Sequence, residues 1–255
     1  MGIFTKKFTR TRDVQFSASC KLDVYTPNDN RVDRTVVVFF HGGGWRSGSK
    51  DSYPHPKIGQ ALAELGYVAV LPKYRLTREA QWPACYADAW NAAFWVLEHA
   101  KEYGGDSASV VLAGHSAGGH LATCVSLMSA DVASRILACV GISGIYDLSA
   151  CTEYTKKNIV TPQFGADKNK WRSASPIEYA PHAKCPFLVT IAAKDTDEMR
   201  SQGREFFKRI MATTCFNHRF LDLPKLGHLT EIKPRLFGPI PIIPVIDDFI
   251  RGVKK

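Results

Sequence analysis

The 255-residue chain reads as a single α/β domain, a mostly parallel, eight-stranded sheet covered by helices on both faces. Three observations predict this. Short runs of β-branched and aromatic residues alternate with longer segments whose apolar residues recur at helical spacing. The short runs are continuous where strands buried on both faces require it, as in RTVVVFF at Arg34–Phe40. No repeat, low-complexity tract or Pro/Ser-rich linker divides the chain, and this length suits one domain burying about three quarters of the surface its unfolded form exposes.

The elements follow in order. Two N-terminal strands, at 13–16 and 21–25, precede the RTVVVFF strand, and a helix near 58–65 leads to a strand at 67–71. In the long helix that follows, 83–103, Tyr86, Trp90, Ala93, Phe94 and Leu97 recur at helical spacing and mark a core stripe, not a ligand box. The strand SVVLAGH then runs directly into helix-forming LATCVSLM. A strand at 137–142, an irregular stretch, a strand at 187–191, a helix at 198–211, a last strand at 216–223 and a closing helix near 246–253 complete the chain. The irregular stretch, about 143–184, is where a small lid or pocket wall is expected, with Tyr146, Tyr154, Phe164 and Trp171 as its aromatic surface. It is too short for a separate cap domain, so an open, shallow site for small or planar substrates is expected.

Two glycine-rich junctions carry the chemistry. Gly114-His115-Ser116-Ala117-Gly118 is a G-x-S-x-G between a strand and a helix, a turn so sharp that small residues must flank the serine and its hydroxyl is pushed out as an exposed nucleophile. About seventy residues upstream the RTVVVFF strand ends in His41-Gly42-Gly43-Gly44-Trp45. Consecutive glycines there suit a backbone that itself donates hydrogen bonds. Gly43 and Gly44 are the expected loop donors to an oxyanion, and the N–H of Ala117 the third.

An acid and then a base should follow the serine at later strand ends. PFLVTIA delivers Ala193-Lys194-Asp195, and the last strand leads into Pro224-Lys225-Leu226-Gly227-His228. Ser116, Asp195 and His228 are therefore the expected triad. Asp197 competes for the acid's place but stands further past the strand end, and Asp222 lies inside the last strand, where a structural role is expected. His41 is expected to brace its glycine loop. His115 and His120, beside the elbow, read as hydrogen-bonded structural imidazoles.

HGGGW at 41–45, KYRLTREAQWPACYADAWNAAFWV at 73–96, GHSAGGHLA at 114–122, SPI at 175–177, AAKDTDE at 192–198 and the following LGH together resemble the α/β-hydrolase superfamily, from about Cys20 to the C-terminus. Within it the chain is similar to compact carboxylesterases of the hormone-sensitive-lipase-like group. It is more closely similar to the kynurenine formamidase (arylformamidase) type, through HGGGW and the segment Asp195 to Gln202. The resemblance implies a serine hydrolase cleaving a small carboxylic ester or aryl amide through an acyl-enzyme, with kynurenine formamidase proper as the narrower alternative. A catalytically silent hydrolase fold used for binding is the reading from another class. Such chains commonly lose a triad or oxyanion member, and this one retains each role. One departure stands out: Lys73 occupies the place of the usual Asp before Tyr-Arg-Leu, and Thr77-Arg78-Glu79 that of the usual Ala-Pro-Glu.

Composition sets the context. Thirty-three Lys and Arg against twenty-four Asp and Glu give a net charge of +9, part of it at the ends through Lys6, Lys7, Arg10, Arg12, Lys254 and Lys255. No nucleic-acid motif accompanies this excess, so a solvated basic surface is expected, and no nucleic-acid partner. The seven cysteines are scattered without C-x-x-C, as free thiols in a reducing, cytoplasmic compartment would be. Met1-Gly2 opens like a myristoylation signal, but Lys6 stands where Ser or Thr is wanted, and no apolar run reaches membrane-spanning length. The chemistry needs neither a metal nor an organic cofactor. The expected partner is the small ester or amide substrate, with a homodimer left open.

Overall fold

In the computed structural model, which describes residues 7–213, 216–235 and 238–254, four strands are buried along their whole length. Met1, Gly2, Lys6, Cys215 and Lys255 lie outside the described residues. The strands are β1 (Phe8–Gln15), β2 (Lys21–Pro27), β3 (Arg34–Phe40), β4 (Val68–Pro72), β5 (Gly105–His115), β6 (Ala138–Ile142), β7 (Phe187–Ala192) and β8 (Arg219–Leu223). They form one sheet in the order β1-β2-β4-β3-β5-β6-β7-β8. β2 is antiparallel to both neighbours, and every pair from β4 to β8 is parallel, so the expected eight-stranded, mostly parallel sheet is present.

The pleat explains the continuous apolar runs. Val36, Val38 and Phe40 of β3 join one core cluster, whereas Val37 and Phe39 join the other, because successive side chains of a strand point to opposite faces. The first cluster is closed by helices α2 (Ala84–His99) and α3 (Ala117–Met128), the second by α1 (His55–Glu64) and by the final helix, Ile242–Val253.

Several bounds differ from the sequence reading. β1 starts at Phe8, not 13: as an edge strand it alternates Arg, Thr and Asp with half-buried residues, and a bulge at Thr11/Val14 interrupts its register. The helix read as 83–103 is α-helical only to His99 and tightens into a 3-10 turn over Ala100–Tyr103. Its buried face is Cys85, Asp88, Ala89, Ala92, Ala93, Val96 and Leu97. Tyr86 and Trp90 only flank the core, and Phe94 is exposed, stacked on Trp90 at 5.3 Å. The last strand is shorter than 216–223, and the closing helix begins at Ile242. The stretch 143–184 is largely helical, built of short turns from Glu153 to Phe164, Lys168–Ser173 and Pro176–His182. No helix among the described residues is long and apolar enough to cross a membrane.

Candidate active site

The central strand β5 ends in a turn that forces Ser116 to φ 56°, ψ −120°, a conformation L side chains rarely adopt. Close backbone approach explains the flanking glycines. A β-carbon at Gly114 would lie 2.2 Å from the Gly118 carbonyl oxygen, and one at Gly118 would lie 2.1 Å from that of Phe40. The Ser116 N–H donates to the Ile142 carbonyl at 2.9 Å, pinning the elbow to β6.

The glycine loop after β3 runs alongside. A β-carbon at Gly42 would come within 3.3 Å of the Ser116 β-carbon, and Gly43 and Gly44 take φ of 125° and 58°. The Gly43 carbonyl accepts from the Arg46 and Ser47 N–H groups at 3.1 Å. Trp45 then buries its ring between Phe164 and His120, anchoring the loop. Among the described backbone hydrogen bonds, neither the Gly43 nor the Gly44 N–H is committed to a protein acceptor. Ala117 opens α3, where the first amides have no partner within the helix.

Asp195 follows β7, and its side chain is fully buried. Its Oδ1 accepts from His228 Nδ1 at 2.9 Å, and its Oδ2 accepts from the Ser143 hydroxyl at 2.6 Å and the Ala192 N–H at 2.9 Å. Burial alone would raise this carboxyl, but the bonds from His228, Ser143 and Ala192 outweigh it and hold Asp195 below the ordinary carboxylate value. His228 sits in a turn closed by the Thr230 and Glu231 N–H groups on the Gly227 carbonyl. Ser116, His228 and all three loop glycines line one cavity of about 520 Å³, whose remaining wall is mainly apolar, with Ile145, Ile159, Met199, Leu229 and Ile232. Ser116, Asp195 and His228, distant in sequence, are thus brought to one sheet edge.

The competing residues have other partners. Asp197 is exposed at the start of a helix (Asp197–Thr213), paired with Arg200, and Asp222 is paired with Arg204 at 2.6 Å. His41 lies 2.9 Å from the Gly42 carbonyl and stacks on Tyr74 at 4.2 Å, bracing its loop as expected. His120 reaches the Ala174 carbonyl at 2.8 Å. Burial pushes His41 and His115 down to about 3 and His120 down to about 4, so all three are neutral near pH 7. Lys73 pairs with Glu79 at 2.8 Å, so the departure at 73 is neutralised by the glutamate that keeps the family pattern, and neither residue lines the cavity.

The aromatic residues of 143–184 do not line it either. Tyr146 stacks on Phe206 at 4.4 Å, Phe164 packs on Trp45 and Trp82, the Trp171 indole N–H donates to the Gly165 carbonyl at 2.7 Å, and Tyr154 is exposed. Ile145, Thr155 and Ile159 supply that segment's share of the wall instead. Large rings are more useful filling the core beneath the loops than facing a wet cavity.

Two residues escaped sequence reasoning. Ser143, directly after β6, takes φ 42° and donates to Asp195. Glu231, three residues past His228, is completely buried, 3.3 Å from His115. Neither Ser143 nor Glu231 offers a local signal in the sequence. His115, His228 and Glu231 form the one group among the described residues with the composition of a metal-ligand set. Two of its four ring nitrogens are engaged, His115 Nε2 with the His228 carbonyl and His228 Nδ1 with Asp195, while the buried His115 Nδ1 has no hydrogen-bond partner.

Comparison with known proteins agrees with this architecture. The BD-FAE family model matches residues 22–211. LipM, a probable carboxylic ester hydrolase of Mycobacterium tuberculosis, is 27% identical over 86% of this chain and 55% of its own length. Kynurenine formamidase of Danio rerio is 29% identical over 84% of this chain and 72% of its own. The chain spans about half the length of the mycobacterial relatives it matches. Among solved structures, esterase B of Lactobacillus rhamnosis superposes with a TM-score of 0.83 at 18% identity, covering 98% of this chain and 88% of that one. With the family model spanning most of the sheet, the chain belongs to the BD-FAE family, and it shares the α/β-hydrolase fold of esterase B.

Proposed function

We propose that this chain is a serine hydrolase that cleaves small carboxylic esters through an acyl-enzyme, with Ser116 as nucleophile, His228 as general base and acid, and Asp195 as the group that orients His228. The observation that carries the reading is a serine held at φ 56° facing the same cavity as an imidazole whose other side is bonded to a buried carboxylate at 2.9 Å. The bond to Asp195 keeps the proton on Nδ1 and leaves the Nε2 lone pair free. Nε2 takes the Ser116 hydroxyl proton as Oγ bonds to the substrate carbonyl carbon and the carbonyl electron pair moves onto oxygen. The N–H groups of Gly43, Gly44 and Ala117 receive that oxyanion, each donor worth about 10²–10³ in rate. Collapse breaks the bond to the leaving group, which departs with the proton from Nε2. Water then repeats the sequence and frees the acid.

A cavity of about 520 Å³ with an apolar wall suits a short acyl chain or a single aromatic ring. The segment 143–184 serves in this reading as a pocket wall within one domain. The six described cysteines are buried and free, which supports a reducing, cytoplasmic setting. The likeness to the Danio rerio kynurenine formamidase over 84% of the chain favours a second reading, an arylformamidase. That reaction demands a protonated aryl-amine leaving group and admits only a one-carbon acyl part. Parallel assays with N-formylkynurenine and with aryl acetate and butyrate separate the two. Ser116→Ala should abolish aryl-ester turnover and labelling by a fluorophosphonate while leaving the thermal melt intact. Retained turnover, or a wild-type chain that neither turns over nor labels, refutes the proposal.

A further inference from the structure

His115, the residue before Ser116, presses its ring against three segments at once. Its Nε2 lies 2.8 Å from the His228 carbonyl oxygen, so Nε2–H is the donor. Its ring lies 4.5 Å from that of His228, and a side chain at Gly42 would meet its Nδ1 at 2.7 Å. Glu231 sits behind it with Oε1 3.3 Å from the same Nε2, fully buried, and neither carboxyl oxygen has a hydrogen bond of good geometry, the nearby Ser143 hydroxyl being directed to Asp195 at 2.6 Å. The Glu231 backbone is tied at both ends, its N–H to the Gly227 carbonyl and its carbonyl to the N–H of Ile242 at the start of the last helix. These bonds hold the Glu231 backbone in the same turn as His228.

We infer that Glu231 is a positioning residue for the proposed base: it backs the His115 ring that holds the His228 carbonyl, and its ionisation adds a second negative charge behind the Asp195–His228 pair. The inference rests on the serine-hydrolase reading. A buried carboxylate without donors is strongly disfavoured, so the group stays protonated at neutral pH. Burial pushes it up to about 8, opposed by the Ser143 hydroxyl, reinforced by negative Asp195 and opposed again by His228. The titratable groups facing it are His115 from β5, Tyr146 after β6, Asp195 after β7 and His228 from its own turn. Once ionised, Glu231 favours the imidazolium that forms as Ser116 attacks.

The consequence is a second upward step in kcat/KM on the alkaline side, near pH 8. One partly screened charge at a separation of several ångströms gives a step of about fivefold. The test is the pH profile of kcat/KM for an aryl acetate in the wild type, Glu231→Gln and Glu231→Asp, corrected for spontaneous hydrolysis. The Gln variant should keep the acid limb and lose the alkaline step, and the Asp variant should keep the step with a displaced midpoint. A wild-type profile without the step, or a Gln variant that retains it, overturns the inference. Should the Gln variant fail to melt cooperatively, infrared spectroscopy of the wild type decides: the carbonyl band of a protonated buried carboxyl should be present in mild acid and vanish as pH passes 8. Absence of that band in mild acid overturns the inference whatever the kinetics. Full activity of Ser116→Ala would instead defeat the serine reading and leave the infrared result standing.

Discussion

Asp195→Asn is the perturbation whose outcome the hydrogen-bond geometry dictates most closely. Three donors converge on this carboxylate, His228 Nδ1 on Oδ1 and the Ser143 hydroxyl and Ala192 N–H on Oδ2. Asparagine offers one accepting oxygen and one NH₂. The Ser143 hydroxyl can rotate, but the backbone N–H of Ala192 cannot reverse its polarity, so the amide oxygen must take the Oδ2 position. The NH₂ group then faces His228, and Nδ1 must become an acceptor. The imidazole proton moves to Nε2, where nothing is left to take the proton of Ser116. A wrong tautomer of this kind lowers kcat about 10⁴-fold, equivalent to about 5.5 kcal/mol on the barrier. The substitution changes neither volume nor shape, so the fold should persist. Steady-state kinetics on an aryl acetate, beside a thermal melt of each protein, make the assay. A variant within about tenfold of wild type would show that Asp195 does not set the imidazole tautomer.

Gly42→Ala should lower kcat at least about tenfold with the fold retained, because its β-carbon would meet His115 Nδ1 at 2.7 Å and Ser116 Cβ at 3.3 Å, displacing the donor loop from the nucleophile. Unchanged kcat would mean that the loop does not hold the reacting oxygen. Glu231 makes a stability prediction that needs no substrate. Its carboxyl is raised from 4.5 to about 8, so between those values the folded chain binds the proton that the unfolded chain has lost, and stability falls as pH rises. At about 1.4 kcal/mol per pH unit the whole linkage is of order 5 kcal/mol. Glu231→Gln should therefore show a flatter stability–pH curve than wild type in denaturant unfolding from mild acid to mild alkali. Parallel curves would remove the buried proton from the account.

How much of the fold was legible follows from where each strand lies. β3, β4, β6 and β7 are covered on both faces, so apart from Arg34 at the start of β3 their residues are apolar or small, and each announces itself as a nearly unbroken run. β1 has one free edge and a wet face, and its Arg10 lies on the buried Asp23 at 2.8 Å, so TRTRD is as much an ion-pair surface as a strand. The stripe of α2 misled for a steric reason. Its largest side chains, Trp90 and Phe94, stand to the side, and Ala89, Ala92 and Ala93 take the buried face. Small residues allow close backbone approach to the neighbouring strands and to α3, and size alone is then a poor guide to burial.

The site divides along the same line. Ser116 and the glycines around it were legible because the constraint is local: a backbone at positive φ, or one within 2.2 Å of a would-be β-carbon, admits few residue types and so fixes the letters of the sequence. Asp195 and His228 are read from order along strands already placed, and the structure pairs them at 2.9 Å. Ser143 and Glu231 obey no such local rule. Ser143 matters because β6 ends beside β7, and Glu231 because a turn after β8 folds back beneath the end of β5. A serine or a glutamate at a loop start is among the commonest sights in any chain, and only the distances to Asp195 and His115 single these two out. The same reasoning explains Lys73. Read alone it set a positive charge near the site, but 2.8 Å from Glu79 it is half of an ion pair, and neither partner lines the cavity. A departure from a family's pattern therefore carries functional weight only once its partner is known.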